Sequence, residues 1–223
     1  MPRATVKSKQ GGVSAPYWQK DKVNSIELDK DVFNSEINEY ELNRYIYVYR
    51  TNQRKGTADT KTRGQVSGST RKIYSQKKMG RARHGDIKAP IFVGGGVVFG
   101  PQSKVFNLKI NKKQKRLAMV SALSLKQKAN QLVVLDDEVL AGFKKTKEFV
   151  KFLTDKQLNG KKLLIITSAD AEDDVFKPIR NVKEVICATV DNINPYILML
   201  AENVMITKSG LEILQKRYNK NEN

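Results

Sequence analysis

Along the C-terminal half of the chain, apolar positions follow two alternating rhythms. Short, near-continuous apolar runs at Leu132 to Leu135, Leu163 to Thr167, Val185 to Val190 and Val204 to Ile206 read as strands covered on both faces. Between them lie stretches with helical spacing. Lys147 to Leu158 carries Phe149, Phe152 and Leu153 on one stripe, and shorter helices are predicted near Asp173 to Ile179 and over Pro195 to Glu202. The last helix has Ser209 and Glu212 at capping-box spacing, with Leu211, Leu214 and Tyr218 facing inward. Lys112 to Lys128 predicts a helix whose inward stripe is Ala118, Ser121, Ala122 and Leu125. Further upstream, Val23 to Leu28 alternates as a strand, and Asn34 or Ser35 can cap a helix running to about Gln53 through Leu42, Tyr45, Ile46 and Tyr49. Buried strands alternating with amphipathic helices predict an α/β fold, a parallel sheet flanked by helices in a Rossmann-like layered core.

From Gly56 to Gly100 neither rhythm persists, so this stretch reads as a long, basic, glycine-rich extended loop inserted between the first two long helices. The domain organisation that follows is a polar N-terminal tail over residues 1–20, with Gly11-Gly12 and Pro16, and a globular domain over residues 21–54 and 105–218. The loop occupies residues 55–104, and residues 219–223 form a polar C-terminal tail. A chain of 223 residues suits one core plus such an extension.

Charge sharpens this division. The whole chain has 41 Lys and Arg against 23 Asp and Glu, a net +18. Residues 50–116 hold eighteen of those bases but only two acids, Asp59 and Asp86, together with nine of the fourteen glycines. The remainder is nearly neutral. A cationic insert on a neutral domain calls for a polyanionic partner, with nucleic acid first and an anionic membrane surface second. Arg and Lys make charge-assisted contacts to phosphates, glycine permits close backbone approach, and a segment with no core of its own is expected to order on binding. Tyr74, Phe92, Phe99 and Phe106 are candidates to stack on bases, to pack in RNA grooves or to anchor the loop base.

No apolar run approaches the ~20 residues of a membrane span, and Met-Pro-Arg-Ala-Thr is not followed by the apolar block of a secretory signal, so an intracellular setting is expected. Cys187, alone in the chain and set in Val185-Ile186-Cys187-Ala188, reads as a buried structural thiol.

Enzymatic alternatives find little support. Gly94-Gly95-Gly96-Val97-Val98-Phe99 puts Phe where a dinucleotide fingerprint needs glycine, and Gly80 to Gly85 is followed by Asp86 where a phosphate-binding loop needs lysine. His84, the only histidine, rules out a multi-histidine metal site and is better suited to contacting RNA than to acting as a base. Asp136, Asp137 and Glu138, and later Asp170, Glu172, Asp173 and Asp174, read as solvated turns. No nucleophile motif is present. No cofactor, metal or small-molecule substrate is expected, and a nucleotide-dependent enzyme is the runner-up.

Several ordered motifs in the insert are distinctive: Lys61-Thr62-Arg63-Gly64-Gln65-Val66-Ser67-Gly68, Arg71-Lys72, Gly80-Arg81-Ala82-Arg83-His84-Gly85 and Gly94-Gly95-Gly96-Val97-Val98-Phe99-Gly100-Pro101. They continue into Lys112-Lys113, Arg116-Leu117-Ala118 and Ser121-Ala122-Leu123-Ser124. Together, over roughly residues 23–217, the chain resembles the bacterial-type large-subunit ribosomal protein L-four family. The resemblance implies a structural, non-catalytic protein of the cytoplasmic large ribosomal subunit, or of its organellar equivalent. Its globular domain and loop would contact large-subunit rRNA and neighbouring ribosomal proteins. The rRNA contacts expected are Arg50, Arg54, Lys55, Lys61, Arg63, Arg71, Lys72, Arg81, Arg83, His84, Lys88, Lys104, Lys109, Lys112, Lys113 and Arg116.

Family members carry the loop to the nascent-peptide exit tunnel, beside a loop of the L-twenty-two family. Two limbs of ~25 residues reach at most ~80 Å. Carried over, the tip that meets nascent peptide comprises Tyr74, Ser75, Gln76, Lys77, Lys78, Met79, Gly80 and Arg81. Relatives usually read Lys-Gly-Thr-Gly where this chain has Lys77-Lys78-Met79-Gly80, so a charged residue stands at a glycine position. Some relatives also bind messenger leader RNA, which makes a free-standing regulator a second alternative.

Overall fold

A computed structural model describes residues 13–19, 23–168 and 173–219. Two compact units divide the chain: Met1–Tyr49 with Lys109–Asn223, and Arg50–Leu108. In chain order the elements are β1 (Val13–Trp18), β2 (Val23–Leu28), α1 (Lys30–Phe33), α2 (Glu39–Asn52), α3 (Lys112–Lys128), β3 (Leu132–Leu135), α4 (Asp137–Ala141) and α5 (Thr146–Asp155). There follow β4 (Leu163–Thr167), α6 (Asp173–Phe176), β5 (Val185–Thr189), α7 (Pro195–Leu200), β6 (Asn203–Thr207) and α8 (Lys208–Tyr218).

In the first unit, the strands form one six-stranded sheet in the order β2-β1-β3-β6-β4-β5. Strands β3, β6, β4 and β5 run parallel, and β1 joins β3 in the same sense. β2 runs antiparallel to β1 at the edge, so the sheet is mixed where a purely parallel one was expected. Successive strand residues serve opposite faces. Leu132, Val134, Leu164, Ile166, Val204 and Ile206 pack into a core with residues of α1, α2, α3, α7 and α8. Leu135, Leu163, Ile165 and Met205 pack on the other side with Leu140, Phe149 and Leu153 of α4 and α5. Helices therefore cover both faces, which is why β3 to β6 are apolar almost throughout.

The expected polar tail is corrected by β1. Ser14, Pro16 and the neighbouring glycines hide a strand that nevertheless buries Ala15. Its pairing with β3 begins at Tyr17, one residue past the proline that has no N–H to give.

The single helix expected from Asn34 or Ser35 is in fact two. Asp29 caps α1 by accepting from the Asp31 N–H at 3.0 Å, and Asn34 closes it. α2 starts later, where the Asn38 side chain accepts from the Glu41 N–H at 3.1 Å. Buried hydroxyls on α3 hold the bend between them: Ser124 Oγ accepts from Ser35 N at 3.1 Å and donates to the Val32 carbonyl, and Ser121 Oγ accepts from Asn38 N at 3.1 Å. α3 is buried nearly all round from Ala118 to Ser124, whereas Leu125 of the expected stripe is only half-buried. Lys126, also buried, donates to the Ala201 carbonyl at 2.6 Å and to Gln131, and burial lowers its pKa.

Two further corrections concern caps. Thr207, not Ser209, caps α8 by accepting from the Gly210 N–H at 3.2 Å. Ser209 is instead bound through its Oγ and N–H to the Asp137 carboxylate, at 2.6 and 3.0 Å. Asp136, Asp137 and Glu138 thus begin α4, and Asp137 links it to α8 rather than lying in a solvated turn. Cys187 is half-buried, and burial pushes its thiol up to about 11.

Leu164 is fully buried at the centre of the sheet. Leu164→Ala is expected to destabilise the protein by about 2–5 kcal/mol, measured as the shift in a denaturant midpoint at unchanged slope.

Candidate nucleic-acid interface

Between the end of α2 and the start of α3 there is no helix or strand, yet the second unit is not without order. Its two limbs are tied to each other. The Asn52 side chain donates to the Leu108 carbonyl and accepts from the Leu108 N–H, at 3.0 and 2.8 Å. Lys104 N donates to Gly56 O at 3.0 Å, Thr60 Oγ1 to Pro101 O at 3.1 Å, Val97 N to Lys61 O at 2.9 Å and Ile73 N to Gly85 O at 3.0 Å. Near the end, the Tyr74 hydroxyl donates to the Ala82 carbonyl. These pairs are symmetrical about the segment from Lys78 to Arg81, so the chain folds back there.

At one close approach of the limbs, a side chain has no room. A Cβ on Gly96 would lie 2.2 Å from the Arg63 nitrogen, so only glycine allows this approach. A small aromatic cluster also lies within the segment. The His84 ring stands edge-on to Tyr74 and Phe92, with centroids 6.2 and 4.9 Å apart. Arg54 and Lys104 lie over the Phe106 ring at 5.7 and 5.1 Å, a cation–π arrangement. Phe106 therefore anchors the loop base.

The cations are disposed outward on this frame. Arg50, Arg54, Lys55, Lys61, Arg63, Arg71, Lys72, Lys77, Lys78, Arg81, Arg83 and Lys104 are all exposed, and His84 is half-buried. A cavity of about 680 Å³ is lined by Ser69, Arg71, Lys72, Ile73, Tyr74, Ser75 and Ile87, which sets two cations beside apolar surface. Ser75, Gln76 and Met79 are also exposed. Lys78 takes φ +71°, the left-handed conformation that glycine adopts freely and a lysine adopts under strain. In the first unit, Lys109, Lys112 and Lys113 are exposed, and α3 opens with cations and no acid in its first turn. Such a start opposes the helix dipole and suits a bound anion.

Two expected contacts are turned inward. Lys88 is buried, and its stem lies 3.2 Å from where a Cβ on Gly68 would be. Arg116 is half-buried and donates to the Tyr218 and Asn219 carbonyls at 3.1 and 2.6 Å, closing the end of α8. Neither role follows from local sequence, since each depends on a partner distant along the chain. Asn52, Thr60 and Gly96 were missed as frame residues for the same reason.

Among the described residues no group of three metal-ligating side chains occurs, and no helix is long and apolar enough to cross a membrane. Asp170 and Glu172 lie outside the described residues.

A family model described as the ribosomal protein L4/L1 family matches residues 26–217. The chain belongs to the ribosomal protein L4/L1 family. It is 38% identical over 195 residues to a protein of Halothermothrix orenii named large ribosomal subunit protein uL4, covering 87% of this chain and 92% of the relative. Proteins of the same name from Clostridium botulinum strain Hall and Alkaliphilus oremlandii are 40% and 39% identical, over 89% and 88% of this chain and 94% and 93% of theirs. The L4/L1 family is structural and non-enzymatic, which sets aside the nucleotide-dependent enzyme.

The limb contact at Gly96 makes a contrast available within the family loop. Gly96→Ala is expected to part the limbs and speed amide hydrogen exchange at Val97 at least tenfold. Gly85→Ala, which has open space around it and an ordinary φ, should leave that rate unchanged.

Proposed function

We propose that the chain is a structural constituent of the cytoplasmic large ribosomal subunit, that it binds large-subunit rRNA and neighbouring ribosomal proteins, and that it supports subunit assembly and translation. The carrying observation is the array of exposed cations on the hydrogen-bonded, two-limbed segment Arg50–Leu108, where thirteen Lys and Arg meet only two acids. Residues 55–104 are the extended rRNA-binding loop in this assignment. The tip from Tyr74 to Arg81 lines the peptide exit tunnel near its constriction, beside the L-twenty-two family loop, and meets the nascent peptide. Its support is the fold-back about Lys78 to Arg81, together with the family's loop architecture. The uL4 names of the relatives support placement in the large subunit.

Phosphate neutralisation releases counterions, so affinity for large-subunit rRNA should fall steeply with salt. Replacing Arg71, Lys72, Arg81 and Arg83 together by alanine is expected to lower the slope of log affinity against log salt by about 2–3, at up to ~0.9 per phosphate contact. An affinity indifferent to salt would refute the rRNA assignment.

The tip is tested separately. Lys77→Glu reverses a charge beside the passing chain and should alter macrolide sensitivity or peptide-dependent stalling, while gradient profiles show near-normal subunit yield. Unchanged drug response and stalling in purified Lys77→Glu ribosomes would remove the tip from the tunnel.

A further inference from the structure

Of the eight phenylalanines, seven are buried or half-buried, while Phe99 is 103% exposed. Water is an unfavourable place for a whole aromatic ring, and a flexible chain would turn it toward any apolar neighbour. Here the backbone prevents that. Phe99 has φ +56°, a conformation that bulky residues rarely take, and the chain is tied on both sides of it. Before it, Gly96 N donates to Lys88 O and Val97 N to Lys61 O, both at 2.9 Å. After it, Gly100 presses so close to Thr60 that a Cβ would lie 2.2 Å from Oγ1, and that hydroxyl donates to Pro101 O at 3.1 Å. Val98 beside it is also exposed. The ring is held out by a clamped, strained turn.

Charge decides what it is held out toward. The clamp residue Lys61 and the nearby Arg63 and Lys104, all exposed, belong to the stretch in which cations outnumber acids eighteen to two, which selects a polyanion over an ordinary protein surface. The apolar surfaces that a polyanionic RNA offers are the faces of unpaired bases.

Resting on the rRNA-binding function above, we propose that Phe99 is a stacking wedge, its ring laid against an unstacked base of large-subunit rRNA. The clamp supplies preorganisation: the ring's position is set before binding, so little freedom is lost on contact. The surrounding cations hold phosphates and supply the salt dependence, whereas Phe99 contributes contact that salt does not screen.

The test uses the full chain and protein-free large-subunit rRNA. Phe99→Leu keeps an apolar side chain but loses the π-face, and is expected to bind roughly tenfold more weakly with an unchanged salt slope. Phe99→Trp should retain affinity within about threefold, and its added indole emission, over the background of Trp18, should be quenched by the rRNA. A Phe99→Leu affinity within twofold of wild type, with the salt slope intact, would overturn the wedge and leave the rRNA function standing. Added emission of the Phe99→Trp chain that changes only after other ribosomal proteins are supplied would also overturn it, in favour of a protein contact. Failure of the wild-type chain itself to bind would bring down both.

Discussion

Like charges confined to a short length of chain repel one another over roughly the Debye length of 8 Å at physiological salt, and Asp59 and Asp86 cannot neutralise the cations between Arg50 and Arg116. This constraint shapes the second unit. Side chains that must stay in water cannot build a core, so its order is carried by backbone hydrogen bonds between limbs, by glycine at a close approach and by a few aromatic contacts around His84 and Phe106. What remains uncompensated is compensated from outside, and rRNA phosphates are the compensation proposed.

The first unit solves the opposite problem. Its 28 bases face 21 acids, and its sheet is sealed on both faces by helices, leaving polar groups to close the joints between elements. Ser121 and Ser124 hold the bend before α2, Asp137 joins α4 to α8, and Arg116 closes the end of α8. Several of these residues look functional in isolation, as a basic motif residue or an acidic strand-end cluster would. Their hydrogen bonds give them structural work.

Much of this architecture was legible in the sequence because continuous burial leaves a plain signal. β2 to β6 coincide closely with the apolar runs, and α3, α7 and α8 follow their stripes. β1 was not legible because a short strand containing Pro16 and Ser14 carries no clear alternation, and α1 and α4 are too short to show helical period. Caps misled for a related reason: Ser209 has the right spacing, but whether it or Thr207 meets the helix depends on where Asp137 arrives from another element. At the candidate interface, the cationic array was visible from composition alone, since exposure is the default for lysine and arginine. Lys88 and Arg116 escaped that default through contacts with Gly68, Tyr218 and Asn219 that no local pattern announces.

The paired bonds between Asn52 and Leu108 join positions 56 residues apart. Once such a clasp is made, the chain beyond it counts as a closed ring, and the entropy of closing a ring rises only logarithmically, by about 0.6 kcal/mol for each doubling in length. Residues added or lost beyond the clasp hardly change that entropy. The segment's length is thus nearly free to drift over evolutionary time, limited by whatever it must reach rather than by the folding of the unit from which it departs.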